Sequence, residues 1–204
     1  MSHHPKIAAT DHDVIDVIRH RWSPRAFDAS RDIAREDLLR LFEAARWAPS
    51  SLNEQPWRFV LTCRSQSPEQ FAAVIASLTG RNQSWARSAP ALVLVAVHTR
   101  IVRLGVENTH AWYDAGHAVA LLTVQATSMG ISLRQMEGFN AAITRAACGI
   151  PDDFQPAVVM ALGYAGDPEA LESDVHREAE RKPRERRRID EFVFEDVWGR
   201  EISR

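Results

Sequence analysis

Residues 111–129 read AWYDAGHAVALLTVQATSM. The apolar side chains here do not keep to one stripe but run almost all the way round a helical wheel. A helix built from them must be covered on most sides, in a core or between subunits. Asp114, His117 and Gln125 make it a poor membrane span, and Gly130 follows as a natural helix terminator. On the C-terminal side, 131–136 reads as a strand. On the N-terminal side, 91–97 (ALVLVAV) follows Pro90 as a continuous apolar run, the pattern of a strand buried on both faces. Farther out, Val14, Ile15, Val17 and Ile18 have helical spacing. Leu38, Leu41, Phe42 and Ala45 do too, placing an amphipathic helix over 34–47 that ends near Pro49. Residues 57–63 and 157–162 read as strands, 71–78 as a helix stopped by Gly80, and 141–148 as a helix ended by Gly149-Ile150-Pro151. Strands alternating with helices indicate an α/β or α+β domain.

The 204-residue length suits one domain over 1–204, and no repeat or linker interrupts it. Hydrophobic residues make up 45% and charged residues 25%, an ordinary mixture for a soluble protein, and the net charge of −2 argues against a general polyanion binder. Cys63 and Cys148 stand far apart without CxxC spacing, so neither a disulfide framework nor a zinc site is expected. The first residues, MSHHPKIAATDHD, lack an apolar signal core, and no run is long enough to span a bilayer. A cytoplasmic protein is expected, with His3 and His4 in a mobile end. The segment from about 169 to 204 is polar and charged until Phe192–Phe194 and is expected to wrap the surface or a partner. Residues 178–191 hold six basic and five acidic side chains with no aromatic among them, which excludes a nucleic-acid site.

Four stretches carry the chemistry. They are HRWSPRAF (20–27), APSSLNEQPW (48–57), RQMEGFN (134–140) and RERRRID (184–190). Taken singly, each has an ordinary reading: cations after a helix end, a polar connection, a Glu-Gly turn, an exposed basic run. In this order, with the apolar helix between them and IDEFVFEDVWG after them, they resemble the nitroreductase family of FMN-dependent oxidoreductases over roughly residues 12–199. The resemblance implies an α+β fold, a central mostly antiparallel sheet flanked by helices, and an obligate homodimer with FMN sites at the subunit interface.

It also implies roles for individual residues. Arg21 and Ser23 match phosphate and ribityl contacts, a role that suits the bidentate guanidinium of arginine. Arg25 matches a basic residue at the flavin's N1/O2 edge, where a fixed charge stabilises the reduced anion. Pro49, Ser50, Ser51 and Asn53 match a segment that reaches the flavin from the other subunit. Glu137 and Gly138 match a turn whose backbone N–H faces flavin N5, and Asn82 a pyrimidine-edge amide. Arg186 and Arg188 match C-terminal residues that close over the phosphate. Trp22 stands where the family commonly has Arg or His. Trp85 stands where some members carry a second cation, which leaves Arg25 as the expected source of positive charge at the ring. His117 is expected to be a core or interface histidine. Residues 98–111 fall where the family varies a loop over the flavin.

The implied activity is hydride transfer from NADH or NADPH to flavin N5, then reduction of a small acceptor such as a nitroaromatic, quinone or enone, in ping-pong order. No side chain is assigned a catalytic role and no metal is expected, because the flavin carries the redox step. A dehalogenating or flavin-consuming member of the same fold, and a non-catalytic FMN-binding or storage protein, are the alternatives.

Overall fold

The structure, a computed structural model, describes residues 6–202, so the expectation for His3 and His4 lies outside the described residues. In chain order its elements are α1 (Asp16–His20), α2 (Arg35–Arg46), β1 (Trp57–Cys63), α3 (Pro68–Ser77), α4 (Gly80–Ala86) and β2 (Ala91–His98). A small hairpin of β3 (Arg100–Ile101) and β4 (Val106–Glu107) follows. Then come α5 (Ala111–Ser128), β5 (Ser132–Met136), α6 (Ala141–Cys148), β6 (Phe154–Gly163) and α7 (Asp174–Arg181).

The main sheet has four strands in the order β1-β2-β6-β5, every neighbouring pair antiparallel. The α+β class and the antiparallel sheet expected from sequence are both present. Side chains alternate across a strand, so β2 supplies both faces. Ala91, Val93, Val95 and Val97 join α2 and α5 in one core, while Leu92 and Leu94 join α3 and α4 in the other. This two-sided burial is why 91–97 reads as an unbroken apolar run although its sheet is antiparallel. On β5, Leu133 faces the first core and Met136 the second.

Burial of α5 within the single chain is one-sided. Ala111, Ala115, Ala118, Leu122 and Ala126 are buried against α2 and the sheet. The opposite side leaves Trp112 52% and Tyr113 68% exposed, with Gly116, Ala120 and Leu121 beside them. Within one chain the helix is therefore covered on one side only. Gly80 does not simply stop a helix; α3 ends at Ser77 and Gly80 begins α4. The tail carries a further helix, α7, over Asp174–Arg181. Both elements escaped the sequence reading because they lack an apolar stripe: GRNQSWA buries only Trp85 and Ala86, and DVHREAER buries only Glu180. No helix among the described residues is long and apolar enough to cross a membrane.

Candidate functional site

The chain leaves α1 at Arg21, whose backbone is already extended, and Pro24 removes one backbone donor from the loop that follows. Trp22 is buried and anchors that loop, with the Lys6 ammonium 5.2 Å from its ring centroid. Arg21 Nη1 donates to Ser23 Oγ at 3.2 Å, so two predicted site residues already touch. Two distant segments hold the loop. From the tail, Arg184 donates to the carbonyls of Arg21 and Arg19. From β5, Arg134 Nη1 donates to the Ser23 carbonyl at 2.5 Å.

These groups enclose a polar cleft of about 310 Å³ lined by Lys6, Arg21, Trp22, Ser23, Arg25, Arg134, Glu180, Glu185, Arg184 and Arg186 among others. Six of those side chains are cationic and two are carboxylates. Burial, followed by the Arg25 charge, pushes Arg134 down to about 10. Burial and then the Arg186 charge lower Arg21, and burial followed by Arg21 and Arg186 lowers Arg184. Lys6 is lowered too, chiefly by burial and against the pull of Glu180. Cations that crowd and desolvate one another in a concave site make a binding place for an anion.

A second group adjoins the first. The Gly138 carbonyl accepts from Thr79 N at 2.9 Å and from Asn82 Nδ2 at 3.1 Å. A Cβ at Gly138 would come within 2.8 Å of Thr79 Oγ1 and 2.9 Å of Asn82 Nδ2, so close approach demands glycine there. Glu137 points its exposed side chain away from any core. Trp85, one turn after Asn82, is 2% exposed, and Arg134 lies 5.6 Å from its ring centroid. Arg134 thus lies between the cationic cleft and the α4 helix that carries Asn82 and Trp85.

The third group is the loop after α2. Leu52 (φ 54°), Asn53 (φ 57°) and Gln55 (φ 48°) all lie in the left-handed region, which costs a β-carbon-bearing residue about 1–2 kcal/mol each. Asn tolerates it best; Leu and Gln do not, and such strain collects where function needs it. The loop is held by Asp114, a buried carboxylate on α5 that accepts from Ser51 N at 3.0 Å, and by Ser50 Oγ, which accepts from Gln55 N at 3.1 Å. Glu54 pairs with Arg103 at 2.8 Å, which ties the loop to the 98–111 region. Pro49, Leu52 and Asn53 are exposed.

The structure thus brings Arg21, Trp22, Ser23, Arg25 and Arg186 to one cleft and packs Asn82 against Gly138. It does not bring Arg188 with them: that side chain is exposed and pairs with Asp190 at 2.7 Å. Arg184 is the tail arginine that reaches the loop in its place. Arg134, Arg184 and Lys6 were missed from the sequence. Only Arg134 had a readable signal, because period-two alternation places it on the face of Met136, two residues before the Glu-Gly turn. His117 is half-buried and packs edge-on to Tyr113 with centroids 4.3 Å apart. Among the described residues no group of three or more His, Cys, Asp or Glu is placed to hold a metal ion.

Comparison with known proteins gives the same frame. A solved structure of an oxidoreductase containing FMN superposes with TM-score 0.89 at 30% identity, covering 98% of this chain and 100% of that one. The uncharacterized 15.4 kDa protein in ask 5'region of Mycolicibacterium smegmatis is 34% identical over 138 residues, 66% of this chain and 89% of that protein. The major NAD(P)H-flavin oxidoreductase of Aliivibrio fischeri is 28% identical over 85 residues, only 42% of this chain and 39% of that protein. The model of the Nitroreductase family matches residues 18–164, most of the chain. With its antiparallel α+β fold and its cationic cleft beside a Glu-Gly turn, the chain belongs to the nitroreductase family.

Proposed function

We propose that the protein is an NAD(P)H-dependent FMN oxidoreductase that reduces a small acceptor such as a nitroaromatic, quinone or enone. The observation that carries this reading is the cleft lined by Arg21, Ser23, Arg25, Arg134, Arg184 and Arg186, with Arg134 lying between it and the Trp85 ring. The residues present fit FMN. Arginines suit a phosphate dianion, since the guanidinium offers paired donors in a plane. Arg184 Nε and Trp85 Nε1 are buried donors without a protein partner, and both belong to this neighbourhood. Bound FMN supplies the redox chemistry, taking up and giving out electrons as hydride equivalents.

The chain's own residues bind, orient and polarise. Arg21, Arg184 and Arg186 hold the phosphate end. Arg25 and Arg134 place positive charge toward the ring, where it favours the more negative reduced state. Gly138 lets the backbone approach closely, while Asn82 fixes that turn through its carbonyl. Glu137 acts through its backbone alone. Pro49, Ser50, Ser51 and Asn53 present short polar groups to the site of a second subunit, across an interface that covers Trp112, Tyr113 and Leu121. The chain acts as one domain in a homodimer, and donor and acceptor take turns in one pocket.

The test is steady-state oxidation of NADH and NADPH with a panel of quinones, nitroaromatics and enones. Yellow protein, about one FMN per subunit and parallel double-reciprocal lines are expected. Colourless protein that added FMN cannot reconstitute would overturn the reading.

A further inference from the structure

Glu180, on α7, is 2% exposed. Its Oε2 accepts the backbone N–H groups of Arg25 and Ala26 at 3.1 and 3.4 Å, and its Oε1 lies 3.8 Å from the Arg25 guanidinium. The same carboxylate acts on Lys6 and Arg134, sustaining the charged form of each against its burial. The plain reading is an anchor that pins the tail to the loop after α1. An anchor needs only an acceptor for two N–H groups, and a neutral amide oxygen can accept both, though more weakly than a carboxylate. The negative charge, which is costly to bury, is not required by anchoring alone.

The position of that charge matters. The cations of the cleft form two groups, both of which act on Lys6. In one, Arg186 lowers Arg21 after burial does, and Arg21 and Arg186 lower Arg184 after burial does. Arg25 and Arg134 interact in the other, where Arg134 lies over Trp85 and Asn82 holds the Gly138 turn. Glu180 belongs to the second group. Under the FMN reading, on which this inference rests, that is the ring end.

We propose that Glu180 lowers the reduction potential of the bound flavin by attenuating the positive field of Arg25 and Arg134, so that the tail helix tunes the redox step. Glu180 is a positioning and field-setting residue rather than a catalytic one. The sign follows from charge. Reduced flavin is the more negative state, so a positive field stabilises it preferentially and a nearby carboxylate opposes that preference. Neutralising Glu180 without changing its shape raises the potential; removing Arg134 lowers it.

The experiment is a redox titration of reconstituted wild type, Glu180→Gln, Glu180→Asp and Arg134→Met, with the FMN dissociation constant measured alongside. For Glu180→Gln, binding of reduced over oxidised FMN should gain about tenfold, equivalent to about 30 mV upward for two electrons. Arg134→Met should shift by a similar amount downward, and Glu180→Asp should stay near wild type. A Glu180→Gln protein that holds FMN at the wild-type potential overturns the inference and leaves the anchor. If Glu180→Gln does not fold, an unchanged potential in Arg134→Met overturns it equally, since the field being attenuated would not reach the flavin. If wild type takes up no FMN, the functional reading itself has failed and this inference falls with it.

Discussion

The loop after α1 and the loop after α2 make opposite use of the same polar residue types. The first is enclosed by its own chain: Arg184 from the tail and Arg134 from β5 both donate to its carbonyls, and Glu180 accepts from its N–H groups. None of its residues sits at positive φ. The second is strained at Leu52, Asn53 and Gln55, and it is tethered by the Asp114 carboxylate and the Glu54–Arg103 pair. One loop completes a cationic cleft in place, while the other is held in a costly shape that presents exposed groups outward. Strain maintained at an exposed turn tied to α5 fits the proposed role of this loop at another subunit's site.

The sharpest way to break that contrast is at Arg21. Its charge-assisted contacts to an anion are worth about 1.5–3 kcal/mol, so Arg21→Ala should weaken FMN binding roughly tenfold to a hundredfold. The fold should survive, because Arg184 uses the Arg21 backbone carbonyl and not its side chain. Fluorescence titration reads the affinity. A wild-type dissociation constant would show that the cleft is not where the phosphate binds.

Asp114 tests the other loop. Asp114→Ala removes the acceptor for the half-buried Ser51 N–H and should cost about 1–2 kcal/mol, the lower part of the range for leaving a donor unpaired. Urea denaturation measures the stability. If the loop serves a second subunit's site, FMN affinity should fall as well, although Asp114 lies outside the cleft. Stability lost with affinity intact would detach the loop from cofactor binding.

Leu52→Gly should work in the opposite direction on stability. Glycine adopts the left-handed conformation freely, and relief of about 1 kcal/mol should raise the urea midpoint slightly. The same change loosens the loop and removes an exposed apolar side chain, so dimer affinity should drop. A rise in both, followed by light scattering and urea melts, would mean the strain serves no interface.

The smallest effect belongs to Arg188. Its side chain is exposed and pairs with Asp190, an arrangement worth little. Arg188→Ala should change FMN affinity by less than about twofold, whereas Arg184→Ala should weaken it clearly. The reverse order would restore the register expected from sequence and displace Arg184.

Most of the architecture was legible because it rests on local periodicity. Leu38, Leu41 and Ala45 predicted α2, and 91–97 predicted a central strand covered on both faces. α4 and α7 were not legible, because a helix packed by one Trp or one buried Glu has no stripe to read. At the site, Arg21, Ser23, Arg25 and the Glu-Gly turn were found through a resemblance carried by short contiguous motifs. Contiguity is why they were visible. Arg134 and Glu180 were invisible as partners of Arg25, since 109 and 155 residues of chain separate them from it.

What the sequence determined by itself was the periodic elements, α2, α5 and the strands of the main sheet among them, and the contiguous polar motifs, because helical and strand periodicity and turn chemistry act over a few residues. Which arginine meets which carboxylate was decided only by tertiary structure. Antiparallel pairing of β5 with β6 fixes Arg134 on the Trp85 face, and docking of α7 places Glu180 against Arg25. Charge–charge energies depend on separation and burial, and neither quantity exists until distant segments pack.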